Sequence, residues 1–179
     1  MPARIFLLFA VAVLAGCASS QEKAMDAIKE QEATLYTSDT KNFKFDPAQA
    51  RATITAYETF AQQYPQSKDA PEMLLKSADL HRSLKEYDAA LNLYQKIATD
   101  FPAFDKLAQT LFLQAFVYEN ELYRLEKAKA LYEEFLQKYP DHDLADDVQF
   151  SLQNLGKTPE EIIKGFEQQE AAPTDTSAS

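Results

Sequence analysis

The sequence predicts an all-α protein, a helical solenoid of about four antiparallel helix pairs, and two observations support this prediction. Apolar residues recur at steps of three or four along most of the chain, as in Leu125, Ala128, Leu131, Tyr132, Phe135 and Tyr139. The segments YETFAQQYP at 57–65, YQKIATDFP at 94–102 and YEEFLQKYP at 132–140 share the frame Y-x-x-F/I-x-x-x-Y/F-P, at steps of 37 and 38 residues. Self-similarity at this period is typical of stacked helix pairs.

Eight helices are predicted in chain order, at about 22–35, 47–63, 70–85, 87–100, 107–123, 125–139, 143–155 and 159–168. Asp46, Asp69 and Thr158 are the expected N-caps of the second, third and eighth helices, because each has Glu or Gln three residues later. Asp143 is the expected cap of the seventh helix. Gly156 lies where that helix would need a left-handed residue at its end.

The N-terminal segment predicts an export signal followed by a lipid anchor. Arg4 precedes an apolar run at 5–15, and the stretch as far as Cys17 would span about 20 Å as a helix, less than a bilayer core of about 30 Å. Cys17 is the only cysteine, so no disulfide can form within the chain. The sequence LAGC at 14–17 resembles the lipobox of bacterial lipoproteins, which implies cleavage before Cys17 and lipidation of its sulfur. The alternative is an ordinary signal peptide with an incidental cysteine.

The same resemblance implies a location and a domain organisation. Ala18 stands where an aspartate would favour the inner membrane, so a lipid-anchored position at the outer membrane, facing the periplasm, is expected. The predicted segments are a signal peptide at 1–16, a lipidated leader at 17–21, a helical repeat domain at 22–168 and a tail at 169–179. The tail is small, polar and free of aromatics, which is typical of disorder.

The formal net charge of −10 and the scarcity of glycine exclude several classes of function. The chain has no basic cluster, which disfavours binding to nucleic acid or to acidic lipid. Only Gly156 and Gly165 remain after the signal peptide, so no glycine-rich loop can wrap a phosphate. No cofactor and no small-molecule substrate is predicted.

The repeated segments resemble tetratricopeptide repeats. The matching residues are Leu74, Ala78, His81, Ala90, Tyr94, Ile97 and Pro102 in the second repeat, and Leu111, Ala115, Tyr118, Ala128, Tyr132, Phe135 and Pro140 in the third. The third repeat matches if one residue is inserted in the turn around 121–124. The first repeat, with an irregular linker at 36–45, and the fourth are expected to be atypical end units. The resemblance implies a right-handed superhelix, and the alanines would allow its helices to cross closely.

By the same resemblance, the leading helices line a concave face that binds partners as extended or helical segments. That face is expected to present Glu72, Leu75, Asp79 and Arg82 from the second repeat, and Phe112, Phe116, Glu119 and Asn120 from the third. Two exposed aromatics among mixed charges would suit a peptide-binding surface. The alternative is that Phe112 and Phe116 are core residues, since an aromatic stripe more often packs than binds.

Candidate catalytic and metal-binding groups are few. The segment DHDLADD at 141–147 gathers four aspartates around His142 and could hold a hard cation. The simpler interpretation is that negative charge is favourable at the start of a helix, and no metal site is predicted. His81 and His142 lie in different repeats with no nucleophile suggested nearby, so no enzyme activity is predicted.

A lipid anchor combined with tetratricopeptide-like repeats resembles the BamD-like outer-membrane assembly lipoproteins and the repeat domain of the Tol-Pal coordinator. The resemblance implies a membrane-anchored scaffold or adaptor that binds envelope proteins or peptides through its concave surface, with outer-membrane protein assembly as the expected process. The alternative is a periplasmic carrier or sensor module that binds peptides transiently.

Overall fold

The computed structural model describes residues 20–39 and 42–170. Its helices are α1 at 20–34, α2 Pro47–Gln63, α3 Ala70–Ser83, α4 Tyr87–Asp100, α5 Leu107–Phe116, α6 Leu125–Lys138, α7 Ala145–Gln153 and α8 Pro159–Glu170. The predicted all-α class and the eight predicted helices are confirmed. The predicted signal peptide, Cys17 and residues 171–179 lie outside the described residues. Within the described part of the chain, no helix is long and apolar enough to cross a membrane.

A short β-hairpin joins α1 to α2, where the sequence predicts an irregular linker. Strand β1, Tyr36–Asp39, pairs antiparallel with β2, Asn42–Phe45, with Tyr36 opposite Phe45 and Asp39 opposite Asn42. The prediction of an irregular linker was wrong here, because strands of four residues are too short for an alternating pattern to be recognised. The hairpin lies between helices and leaves the fold class unchanged.

The chain divides into two compact units, unit 1 at residues 1–104 and unit 2 at 105–179. In unit 1, α2 packs against α3, and α3 against α4. A core cluster from α1, the residue after it, α2 and α3 contains Ile28, Leu35, Ala50, Ile54, Tyr57, Phe60, Met73 and Leu80. Ala78 has no exposed surface, which confirms the prediction that a small residue occupies this tightly packed position.

In unit 2, α5 packs against α6, and α6 against α7. The core of this unit contains Ala108, Ala115, Ala128, Tyr132, Phe135 and Val148. Ala115 is fully buried, as predicted for a small residue at a close crossing. Helix α8 is different, because its described side chains are exposed except for the half-buried Ile162.

Helix α5 continues into a π-helix, Val117–Glu121. The amide of Leu122 donates to the carbonyl of Val117 at 3.1 Å, the five-residue step that defines a π-helix. A π-helical turn contains more residues than an α-helical turn, so it accommodates the inserted residue that the sequence assigns to the turn at 121–124. The predicted place of the insertion was therefore wrong. Inside a helix the extra residue keeps its backbone hydrogen-bonded, which a longer turn would not ensure.

Two predicted helix caps are confirmed. The Oδ1 atom of Asp46 accepts a hydrogen bond from the Ala48 amide at 2.8 Å. Thr158 and Glu161 form a reciprocal capping box, in which the Thr158 amide donates to Glu161 at 2.8 Å and the Glu161 amide donates to the Thr158 hydroxyl at 3.2 Å. Gly156 has φ +77°, so the left-handed residue after α7 is also confirmed.

The other two predicted caps are met only in part or not at all. Asp69 does occupy the N-cap position of α3, but its side chain makes no cap bond, because its backbone is helical (φ −87°, ψ −13°) instead of extended, as that of a capping residue normally is. The hydroxyl of Ser67 instead accepts from the Asp69 amide at 3.2 Å. Asp143 lies before the cap position, because α7 begins two residues later than predicted. His142 Nδ1 accepts from the Leu144 amide at 3.1 Å in its place.

Candidate functional site

The predicted binding residues of the second repeat lie in unit 1 and are mainly structural. Leu75 is only 3% exposed, so its predicted contact with a partner was wrong. Its position on α3 points into packed side chains instead of solvent. Asp79 and Arg82 are half-buried, and Asp79 accepts a hydrogen bond from the Tyr94 hydroxyl at 3.3 Å. Burial raises the pKa of Asp79 more than the nearby Arg82 charge lowers it.

The predicted residues of the third repeat come together in unit 2. Phe112, Phe116, Glu119 and Asn120 line one wall of a groove with a volume of about 500 Å³. The rest of the lining comes from the end of α7, the turn that follows it and the start of α8, which contribute Phe150, Ser151, Asn154, Lys157 and Ile162. We refer to these residues as the second wall. This second wall was missing from the sequence-based site, because residues thirty or more positions apart meet only after folding. We call this cavity the unit 2 groove.

Phe112 and Phe116 lie between the core and the groove. Both are half-buried, and their ring centroids are 6.3 Å apart. The Phe112 ring also lies 6.3 Å from the ring of the fully buried Tyr132. The prediction that these aromatics are core residues and the prediction that they are exposed at a binding surface are each partly met. Both rings are half-buried, and they line the groove.

Glu119 and Asn120 are carried by the π-helix. The Oε2 atom of Glu119 accepts a hydrogen bond from the Tyr132 hydroxyl at 2.7 Å, so this carboxylate positions a core tyrosine as well as lining the groove. Burial, followed by the hydrogen bond from Tyr132 to Glu119, raises the pKa of Tyr132. Asn120 is exposed, and its amide donates to the Phe116 carbonyl at 3.3 Å. The π-helix thus presents one anchored and one accessible polar group at the groove.

A hydrogen bond from tyrosine to carboxylate occurs in all three repeated segments. The pairs are Tyr57 with Glu32 at 2.7 Å, Tyr94 with Asp79 at 3.3 Å, and Tyr132 with Glu119 at 2.7 Å. Each tyrosine opens the Y-x-x-F/I frame, and each carboxylate belongs to the helical segment before it. Sequence spacing could not reveal these pairs, because the carboxylate precedes its tyrosine by 25, 15 and 13 residues respectively.

The ring of His81 lies between two carboxylates. Its Nδ1 lies 2.6 Å from Glu86 and its Nε2 lies 3.2 Å from Glu58, so both ring nitrogens have carboxylate partners. The Ser77 hydroxyl donates to the same Glu58 oxygen at 2.8 Å. Because Glu58 stands between Ser77 and His81, the histidine is not placed to activate the serine.

The acidic segment at 141–147 has a local role. His142 accepts the Leu144 amide, and its ring packs edge-on against Phe135 with 5.7 Å between centroids. Among the described residues, no group of three or more histidine, cysteine or acidic side chains is arranged to hold a metal ion. Asp146 and Asp147 lie in the first turn of α7, where negative charge is favourable.

Comparison with known families agrees with the repeat pattern. Residues 72–103 and 109–142 match the tetratricopeptide repeat family model. The two matches cover α3 with α4, and α5 with α6, so each matched segment contains one helix pair. No curated protein matches the chain at a significant level.

Proposed function

We propose that this chain binds a segment of a partner protein in the unit 2 groove. Its two tetratricopeptide-type repeats are of a kind that generally serves as a non-enzymatic protein-binding scaffold. The observation that carries this proposal is the groove itself, which half-exposed Phe112 and Phe116 line together with polar groups of α7 and of the turn that follows it. The lining combines apolar side chains with polar ones, so the groove offers a ligand both apolar contacts and hydrogen-bonding groups.

The geometry of the groove favours a peptide with one bulky apolar residue as its anchor. Phe112, Phe116 and Ile162 supply apolar surface, while Asn120 and Lys157 supply polar groups that can pair with a peptide backbone. The π-helix shapes this site, since it sets the positions of Glu119 and Asn120, and π-helical turns are frequent at functional sites.

Site-specific photo-crosslinking in the native cell tests the groove. A photoreactive amino acid at Asn120 is expected to capture a partner, whereas the same amino acid at Ala130, an exposed position on α6 outside the groove, is not. The variant Phe112→Ala/Phe116→Ala should abolish capture from position 120. Phe101→Ala/Phe104→Ala is the matched control, because it removes two half-buried phenylalanines that do not line the groove. Equal capture from positions 120 and 130 would contradict groove binding.

The proposed location is the periplasmic face of the outer membrane, with the lipidated Cys17 as anchor. Support comes from the sequence, where Cys17 ends an LAGC motif directly after the apolar run at 5–15. Labelling of the parent protein with palmitate, and loss of both the label and membrane attachment in Cys17→Ala, are the expected results. Membrane attachment that persists in Cys17→Ala would contradict the anchor.

The proposed process is assembly of proteins in the outer membrane, with this chain as an adaptor for envelope proteins. A stable adaptor should co-purify with one partner in a fixed ratio, and its depletion should lower the amount of outer-membrane β-barrel proteins. A transient carrier or sensor of peptides would instead give weak capture of many chains. The unit 2 groove serves either role, so the stoichiometry of the captured complex decides between them.

A further inference from the structure

A cluster of exposed hydrophobic side chains lies at the end of unit 2. Among the described residues, the exposed large hydrophobic side chains are Tyr123, Phe150, Ile163 and Phe166, and all four belong to this unit. Phe150 and Phe166 stack with ring centroids 6.2 Å apart and planes within 4°. Ile163 lies one helical turn before Phe166, on the same side of α8. We call Phe150, Ile163 and Phe166 the α8 patch.

Helix α8 has little support within its own unit. Ile162 is the only half-buried side chain among its described residues. The ring of Phe166 stacks on Phe150 of α7. An isolated helix of 12 residues is only marginally stable in water, and most helices gain their stability by burying an apolar face. The exposed fractions of Ile163 and Phe166 are 57% and 50%, so this face is left largely uncovered.

The charges around the patch indicate what would cover it. Asp146 and Asp147 lie one turn before Phe150 on α7, and Glu160 and Glu167 lie one turn to either side of Ile163 on α8. Among the described residues, neither Glu160 nor Glu167 has an ion-pair partner. The rim of the patch is therefore negative.

The basic residues of this region do not neutralise that rim. Lys164 lies one turn from both Glu160 and Glu167 on α8 and offsets part of their charge, but it is a single lysine against the four carboxylates of Asp146, Asp147, Glu160 and Glu167. Residues 105–179 contain 15 acidic residues against 7 lysines and arginines, so a second copy of the chain would bring like charges together. The last nine residues, AAPTDTSAS, contain no large apolar side chain that could fill the patch.

We propose that the α8 patch docks a basic amphipathic helix of a partner protein. Its apolar side chains would cover Ile163 and Phe166, and its lysines and arginines would face the acidic rim. This surface adjoins the unit 2 groove, because Phe150 lines both, but Ile163 and Phe166 do not line the groove.

Fluorescence anisotropy with a labelled 18-residue amphipathic helix of leucine and lysine tests the proposal. The purified protein is expected to bind this probe. A peptide of the same length and pattern, with glutamate in place of every lysine, should not bind. Ile163→Ser/Phe166→Ser should weaken binding by about tenfold or more. Glu160→Lys/Glu167→Lys should weaken it by about threefold or more, with a steep dependence on salt. Circular dichroism confirms that each variant is folded.

Two matched controls distinguish docking at the α8 patch from attraction to net charge and from binding in the unit 2 groove. Glu22→Lys/Glu30→Lys makes the same charge change on exposed positions of α1 and should leave affinity within about twofold of the parent. An equal loss in this variant would show attraction to net charge alone and would overturn the proposal. A loss of affinity only in Phe112→Ala/Phe116→Ala would also overturn the proposal, because the probe would then bind in the unit 2 groove. The proposed function of that groove would stand.

The oligomeric state supplies the remaining test. Sedimentation velocity should show a monomer both for the parent and for Ile163→Ser/Phe166→Ser. A parent dimer that becomes monomeric in this variant would mean that a second copy occupies the patch, and would overturn the proposal of a basic partner.

Discussion

Removing the Tyr132 hydroxyl is expected to destabilise the protein by about 1.5–2 kcal/mol. Tyr132→Phe keeps the buried ring and opens no cavity, so the change removes only the hydrogen bonds of the hydroxyl, of which the bond to Glu119 is the one to a charged group and a second involves Ser151. The bond to Glu119 is 2.7 Å long and has a carboxylate acceptor, and hydrogen bonds to charged groups contribute about 1.5–3 kcal/mol. The lower part of this range applies because Glu119 is half-buried, and water can partly replace the hydroxyl.

The same substitution in the second repeat should cost less. Tyr94 is as deeply buried as Tyr132, but its hydroxyl lies 3.3 Å from Asp79, beyond the usual range for such a bond. We expect Tyr94→Phe to cost about 0.5–1 kcal/mol. Tyr123→Phe is the control, because this tyrosine is 81% exposed and its hydroxyl should contribute less than about 0.5 kcal/mol.

Urea unfolding followed by circular dichroism measures all three variants at pH 7. A double-mutant cycle of Tyr132→Phe with Glu119→Gln should give a coupling of at least about 1 kcal/mol, since the two residues contact each other. The reasoning would be refuted if Tyr94→Phe cost as much as Tyr132→Phe, or if the coupling were close to zero.

Three further predictions concern ionisation and backbone conformation. Hydrogen bonds from Arg51 and, to a smaller extent, from the His81 ring lower the pKa of Glu86 in the folded protein below its ordinary 4.5. Ionised Glu86 therefore stabilises the fold above pH 4.5, and this stabilisation is lost as the pH falls through the pKa of the folded protein. Glu86→Gln should therefore lose stability at pH 7 and show a shallower decline on acid titration between about pH 5 and 3; an unchanged slope would contradict this. Burial raises the pKa of Asp79, so the ionised carboxylate destabilises the folded protein above that pKa. Asp79→Asn should therefore be at least as stable as the parent in urea unfolding at pH 7. A clear destabilisation would show that the charge is favourable. Gly156→Ala should lower the free energy of unfolding by about 1–2 kcal/mol, measured by thermal unfolding. The reasons are that φ is +77° at this position and that the new Cβ would lie 2.8 Å from the end of the Leu125 side chain. A neutral effect would mean that the turn relaxes.

Several features of the fold follow from local sequence alone. The helices, the Thr158–Glu161 capping box and the left-handed Gly156 are set by residues within a few positions of one another, and short-range hydrogen bonds and apolar periodicity suffice to predict them. The repeat frame likewise predicts the burial of Tyr94 and Tyr132, because equivalent helix pairs bury equivalent positions.

The departures have local causes of a different kind. Asp69 fails as a cap because its backbone is already helical, and the inserted residue of the third repeat enters a π-helix because that keeps its backbone hydrogen-bonded. In both cases the sequence indicates correctly that Asp69 precedes a helix and that the third repeat has one extra residue. The backbone conformation at each place depends instead on how the preceding helix or turn packs. The two short strands at 36–45 were missed since four-residue segments carry too little pattern.

The sequence by itself determined the helical class, the repeat and one wall of the unit 2 groove, and it is the source of the proposal that Cys17 carries a lipid anchor. Only the tertiary structure decided that Leu75 is buried, that Glu119 holds Tyr132, and that α7 and α8 complete the groove. The physical reason is distance along the chain. Helical periodicity reports which face of one helix is apolar, but it does not report which distant side chain covers that face or whether any side chain covers it at all.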